Sequence, residues 1–250
     1  MTDRLSSSRL DQALVESGAF ASRARAQGAI RAGLVRVDGR VVDKPAAMIA
    51  AAARIDVAGD VHDYVSRGAV KLEAALTAFE IRPEGAVCLD LGASTGGFTQ
   101  VLLRAGAAKI YAVDVGAGQL HPAIAADPRV VNLERTHAKD LSPAIAPDPI
   151  EIIVCDVSFI SLRKALPPAL ALAAPGALLI ALIKPQFELG PRALGKRGIV
   201  KATGETLQRL TRDISAWLSE QGWREIGVID SPIAGGDGNK EFLIGAIKSA

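Results

Sequence analysis

The chain has 250 residues, enough for one large domain or for a small one followed by a medium one. Its composition is 49% apolar and 22% charged, which supplies an ordinary globular core, and with only 4% aromatics that core is mostly aliphatic. A net charge of +2 says little about partners, so the distribution of charge matters more than the total.

The two cysteines, Cys88 and Cys155, sit inside apolar runs without metal-ligand spacing. That excludes a disulfide framework and a cysteine metal site, and predicts two buried free thiols in a reducing compartment. The polar, Ser-rich start has no apolar core of a secretory signal, and the longest apolar stretch, 169–183, is broken by Pro175 and Gly176. A soluble cytoplasmic protein is expected, a monomer or at most a weak dimer, without a metal or a membrane partner.

Residues 1–8 are expected to be disordered. From 9 to about 58 short helical and strand-like patterns alternate. Leu10, Ala13 and Leu14 share a helix face, and Gly18 suits the stop that follows. Ser22 reads as the N-cap of a second helix carrying Ala26, Ala29 and Ile30 on one side and ended by Gly33. Residues 34–37 and 40–42 are two short β runs joined by Asp38-Gly39, a hairpin pattern, and 54–57 is a further strand. From Ser17 to Val37 there is no acid, whereas Arg23, Arg25, Arg31 and Arg36 all fall there. Such a local basic surface is a nucleic-acid signal.

Residues 59–66 are polar and read as a linker. From 67 onward strands and helices alternate. Strands are predicted at 87–91, 110–114, 130–133, 152–156, 178–183, 226–229 and 242–247, several of them continuous apolar runs suited to burial on both faces. Helices are predicted at 69–79, 95–104, 119–126 and 206–221. The expected fold is α/β, a Rossmann-like domain with a seven-stranded, mostly parallel sheet, behind a small α+β domain.

The first strand of that sheet runs into Leu89-Asp90-Leu91-Gly92-Ala93-Ser94-Thr95-Gly96-Gly97-Phe98. An acid and glycines at this edge mark a cofactor turn. Gly92 permits a tight turn, and Gly96 and Gly97 permit close approach of a ligand. The glycine order differs from the pyrophosphate fingerprint, which disfavours a nicotinamide cofactor. S-adenosylmethionine carries no phosphate, and an acid suits its cationic methionine end. Asp114, at the end of the second strand, is placed to accept ribose hydroxyls. The expected cofactor contacts are Asp90, Gly92, Ser94, Gly96, Gly97, Phe98, Asp114 and Asp156. Thr136, His137 and Asp140 are open candidates for the adenine.

Four charged residues occupy element ends rather than open surface: Lys71 opens the helix before the first strand, Asp156 and Lys184 end strands, and Glu241 opens the last strand. Glu241 joins the others only if the last strand runs antiparallel, as edge strands of such sheets often do. Two lysines and two carboxylates form two ion pairs around a reacting hydroxyl, which needs a base or a cation for its developing alkoxide. Lys184 is the expected base, because a neighbouring cation and desolvation lower a lysine's pKa. Asp156 orients it near the methyl donor, and Lys71 with Glu241 holds the network. The plain alternative is a set of separate structural ion pairs.

The second domain resembles the TlyA-type rRNA cytidine-2′-O-methyltransferases, themselves similar to the FtsJ-like methyltransferases. The matching segments are Tyr64-Val65-Ser66-Arg67-Gly68, the turn from Leu89 to Phe98, Asp156 to Leu162, Ile183 to Glu188, and Gly238 to Leu243. The resemblance implies a Lys-Asp-Lys-Glu tetrad at Lys71, Asp156, Lys184 and Glu241. The first domain is similar to the alpha-L RNA-binding fold of a small-subunit ribosomal protein and of many pseudouridine synthases, through Arg9-Leu10-Asp11, Ser22-Arg23, Val37-Asp38-Gly39 and Val42 to Pro45. It implies RNA contacts from Arg9, Arg23, Arg25, Arg31 and Arg36. Together these imply S-adenosylmethionine-dependent methylation of ribosomal RNA, with the large subunit favoured by the short ends of the chain. A non-catalytic RNA-binding protein is opposed by the complete tetrad and turn. A haemolysin-like membrane protein is opposed by the lack of an inserting segment.

Overall fold

The computed structural model describes residues 7–20, 22–31, 33–57, 64–195, 198–235 and 238–249. Residues 1–6 of the expected disordered start and 59–63 of the expected linker lie outside these, and Arg25 is described by its backbone alone. The chain forms two compact units, residues 1–63 and 64–250.

The first unit runs β1 (Ser7–Arg9), α1 (Leu10–Glu16), α2 (Arg23–Arg31), β2 (Val35–Val37), β3 (Arg40–Val41), β4 (Met48–Ala50) and β5 (Ile55–Val57). Strand β2 is the centre of a three-stranded antiparallel sheet between β3 and β5. Asp38 and Gly39 both take positive φ, 49° and 78°, as a two-residue hairpin turn requires. Leu10, Leu14, Ala26, Ala29, Ile30 and Val35 form the core, so both helices bury the faces their spacing marked. Ser7 and Ser8 depart from the expected disorder. They pair antiparallel with β4 at Ala50 and Ile49, a partnership more than 40 residues away along the chain that local pattern does not reveal.

The second unit runs α3 (Ala69–Ala78), β6 (Val87–Leu91), α4 (Gly97–Arg104), β7 (Lys109–Val113), α5 (Pro122–Ala125), β8 (Val130–Leu133), β9 (Ile150–Cys155), α6 (Leu162–Ala165), α7 (Pro167–Ala171), β10 (Ala173–Ile183), α8 (Pro185–Glu188), α9 (Gly204–Glu220), β11 (Trp223–Asp230) and β12 (Phe242–Lys248). The seven strands lie in the order β11-β12-β10-β9-β6-β7-β8. Strands β10, β9, β6, β7 and β8 are mutually parallel, and β12 is antiparallel to both β10 and β11. The antiparallel strand is therefore not at the edge, as expected, but one place inside it. The result for Glu241 is the same, because the start of β12 (Phe242) pairs with the end of β10 (Ile183).

Apolar strands dictate the layers. Leu89, Ile153, Leu179 and Ile244 face one side among α6, α7 and α9, while Cys88, Ile110, Ile152, Ile180 and Leu243 face the other with α3 and α4. Helix α9 buries Leu210, Ile214 and Leu218, a four-residue repeat, and Thr203 caps it by accepting from the Thr206 N–H. Tyr64 to Ser66 belong to this unit rather than to a linker. The Val65 N–H donates to Gln100 Oε1 at 2.8 Å, and Ser66 Oγ accepts from the Gly68 N–H at 3.1 Å. The helix expected over 119–126 shrinks to α5, since the Gln119 and Leu120 N–H groups donate instead to Glu134. Both cysteines are buried and free, and burial pushes each thiol up to about 12.

Candidate active site

Two clefts open at the carboxyl ends of β6, β7 and β9, where a sheet of this topology binds ligands. The first, about 290 Å³, is lined by Ser66 to Gly68, Lys71, the Gly92–Phe98 turn except Gly96, Asp156, Ser158, Lys184, Ile233 and Ala234. The second, about 380 Å³, is lined by Leu91, Val113 to Val115, Gln119, Thr136 to Ala138 and Val157 to Ile160. Both share Gly92, Ser94, Asp156 and Ser158, so the two clefts adjoin.

The four charged residues converge. Lys184 Nζ lies 2.6 Å from Asp156 Oδ1 and donates to Ser158 Oγ at 2.9 Å. Lys71 Nζ lies 2.5 Å from Glu241 Oε2, with both residues buried. Lys71, Asp156 and Lys184 line the first cleft, and Glu241 stands behind Lys71. An ion pair this enclosed is expensive to desolvate and is poor value as a stabiliser. Two such pairs at one cleft are better read as prepositioned charge.

The turn residues divide by role. At Gly92 (φ +87°) a Cβ would lie 2.9 Å from the Asp156 carbonyl oxygen, so glycine lets the turn seat directly on the end of β9. Gly96 lines neither cleft. A Cβ there would meet Ile124 Cδ1 at 2.7 Å and Leu120 Cδ1 at 2.8 Å. Gly97 lines the first cleft, but its bare Cα accommodates Ser66 Oγ, which a Cβ would meet at 2.2 Å. At both positions the missing side chain makes room for another part of the chain.

Asp90 is fully buried under the turn, outside both linings, with Oδ2 accepting from Thr99 Oγ1 at 2.6 Å. Its Oδ1 has no hydrogen-bond partner among the described residues. Burial, helped by the charge on Asp156, pushes its carboxyl up to about 7. Asp114 lines the second cleft and is held by its neighbours: Oδ2 accepts from the Ser94 N–H at 2.8 Å and Oδ1 from the Gly116 N–H at 2.7 Å. Of the adenine candidates, Thr136 and His137 line the second cleft and Asp140 does not.

Ser158, Phe159 and Arg67 lie in the matching segments, but the sequence reading gave them no role. Phe159 is 91% exposed, takes φ +66°, and packs on Phe187 with ring centroids 5.2 Å apart. A phenylalanine in the left-handed region is a rare conformation that carries backbone strain, and here the ring also lies in solvent. The signal lay in the sequence, as an aromatic three residues past Asp156 at the end of a strand, but exposure is not readable there. The arginines expected to contact RNA differ in their surroundings. Arg23, Arg31 and Arg36 are exposed and Arg9 partly so, and Arg9 and Arg23 are both paired with Asp11.

A mostly parallel sheet, a glycine turn at the switch edge and a tetrad of charges define a methyltransferase, preceded by a small RNA-binding fold. The FtsJ-like methyltransferase family matches residues 64–248 and the S4 domain residues 8–55. The chain is 43% identical over 237 residues, 94% of its length and 88% of the relative's, to "16S/23S rRNA (cytidine-2'-O)-methyltransferase TlyA" of Mycobacterium tuberculosis. It is 41% identical, over 94% of its length and 98% of the relative's, to "Hemolysin A" of Brachyspira hyodysenteriae. A solved putative hemolysin of Streptococcus thermophilus superposes with a TM-score of 0.76 at 36% identity, over 98% of this chain and 90% of that one. The chain belongs to the TlyA family of FtsJ-like methyltransferases with an N-terminal S4 domain.

Proposed function

We propose that this cytoplasmic enzyme transfers a methyl group from S-adenosylmethionine to the ribose 2′-hydroxyl of a cytidine in ribosomal RNA. One observation carries the reading: Lys71, Asp156 and Lys184 line the cleft that the Gly92–Phe98 turn also lines, and it shares a wall with the second cleft. The residues present suit the cofactor. The second cleft offers Asp114 to a ribose and a mixed lining to an adenine, and the unpartnered Asp90 Oδ1 sits beside the turn. When bound there, S-adenosylmethionine supplies an electrophilic methyl.

The protein's own part is positioning and charge. Lys184, fixed by Asp156 and Ser158, faces the 2′-hydroxyl and takes its proton or stabilises its developing alkoxide. Lys71, braced by Glu241, orients that hydroxyl. In-line alignment of nucleophile and methyl provides most of the rate. The exposed Phe159 ring offers a face on which an unstacked base rests. Arg9, Arg23, Arg25, Arg31 and Arg36 contact folded RNA through phosphates.

The name of the Brachyspira relative raises a membrane-lytic reading, but no helix among the described residues is long and apolar enough to cross a membrane. The test is 2′-O-methyl mapping of both rRNAs in cells with and without the gene. Loss of a cytidine modification is expected, and an unchanged map would end the reading.

A further inference from the structure

We propose that Asp11 is a positioning residue for RNA: a buried carboxylate that holds the guanidinium groups of Arg9 and Arg23 as one preformed phosphate-binding fork. The inference rests on the RNA-binding reading of the first unit and adds the group that aims its arginines.

The geometry is asymmetric. The Asp11 side chain has no solvent exposure, while the side chains of Arg9 and Arg23 are 39% and 50% exposed. Arg9 Nε donates to Asp11 Oδ1 at 2.9 Å and Arg9 Nη2 to Oδ2 at 3.0 Å. Arg23 Nη2 and Gln27 Nε2 reach the same Oδ2 at 3.0 and 2.7 Å. The anion is inside and the cations are outside. Arg9 above all, then Gln27 and Arg23, hold the carboxyl well below the usual carboxylate range, so it stays charged.

Half-exposed ion pairs add little stability, and each long side chain loses rotamer freedom in making them. The arrangement gains more as preorganisation. A guanidinium has five N–H donors, and Asp11 takes two from Arg9 and one from Arg23. Most donors of both forks are therefore unspent on Asp11, in groups whose ordering cost has already been met. Two cations on one anion leave the cluster at +1, which suits a phosphodiester. Gln27 extends the array along α2, since its Oε1 accepts from Arg31 Nη2 at 3.5 Å.

The opposite role, a charge that merely neutralises two arginines, makes the opposite prediction. With the full-length protein and purified rRNA, Asp11→Asn is expected to weaken RNA binding about tenfold while S-adenosylmethionine binding holds. Tighter RNA binding in that variant would mark a neutraliser and overturn the proposal. In an Arg9→Ala/Arg23→Ala background, Asp11→Asn is expected to cost nothing further, because a positioning residue acts through the groups it positions. A repeated tenfold loss there overturns it too. Should Asp11→Asn fail to fold, Arg23→Lys serves: it keeps the charge but not the fork, and undiminished binding would refute the role of geometry. If the double alanine variant leaves binding and its salt dependence untouched, the RNA-binding reading of the unit fails as well. If that variant binds weakly and Asp11→Asn binds normally, only the positioning role fails.

Discussion

Single side chains decide the chemistry. Lys184 donates to Ser158 and lies 2.6 Å from Asp156 Oδ1, which places its ammonium group at the wall of the first cleft. Replacing it with alanine is expected to slow methyl transfer by about 10²–10⁴-fold, with the cofactor dissociation constant unchanged in calorimetry. Full activity in the variant would remove Lys184 from the reaction. Phe159 is exposed and left-handed, so it contributes nothing obvious to the core. Its replacement by alanine should raise KM for rRNA about tenfold, the worth of one stacked base, without lowering the melting temperature. An unaltered KM would assign the ring to packing on Phe187. At this scale the sequence was informative about charge and silent about exposure. The tetrad could be picked out because charged residues at strand ends are conspicuous. Phe159 could not, because an aromatic reads as core until its surroundings are known.

Elements determine where those side chains meet. Gly92 shows how little room there is: alanine would carry its Cβ into the Asp156 backbone at 2.9 Å and adopt φ +87°. The left-handed conformation alone costs about 1–2 kcal/mol. Gly92→Ala should therefore lower the melting temperature and impair cofactor binding and transfer together, by displacing Asp156. Differential scanning calorimetry beside cofactor titration separates this from a contact effect, which would leave stability intact. The turn expected at Gly92 is present, while Gly96 and Gly97 make room for neighbouring side chains, with Gly97 also lining the first cleft. Sequence shows that a side chain is missing but not which neighbour fills the space, and here Leu120, Ile124 and Ser66 fill it. The strands of the sheet were legible because continuous apolar runs have few other uses. The pairing of β1 with β4, and the place of β12 inside the sheet, depend on contacts distant in sequence, which local patterns do not encode.

The whole chain carries two opposite acid responses. Asp11 is depressed in the first unit by Arg9, Gln27 and Arg23, so its stabilising effect is present above the unfolded value near pH 4 and lost as pH falls below it. Asp90 is raised to about 7 in the second unit by burial and by Asp156. Its folded form keeps a proton that the unfolded chain releases near pH 4, so stability there declines as pH climbs from about 4 to about 7. The slope approaches about 1.4 kcal/mol per pH unit at most. Trp217 and Trp223 both belong to the second unit and report it alone. Tryptophan-monitored urea midpoints should fall across that range, and Asp90→Asn should flatten the fall. A midpoint that rises with pH would contradict the burial of a protonated Asp90. Circular dichroism, which sees both units, should add a loss of structure in strong acid.

The antiparallel course of β12 has a consequence in time as well as in space. The counter-charge of buried Lys71 is delivered by the strand made last in this sheet, after every parallel strand around it has been synthesised. Without the residue that leads into that strand, the Lys71 ammonium group loses its Glu241 partner. The charged pocket thus depends on residues on both sides of the parallel strands, since Lys71 precedes them and Glu241 follows them.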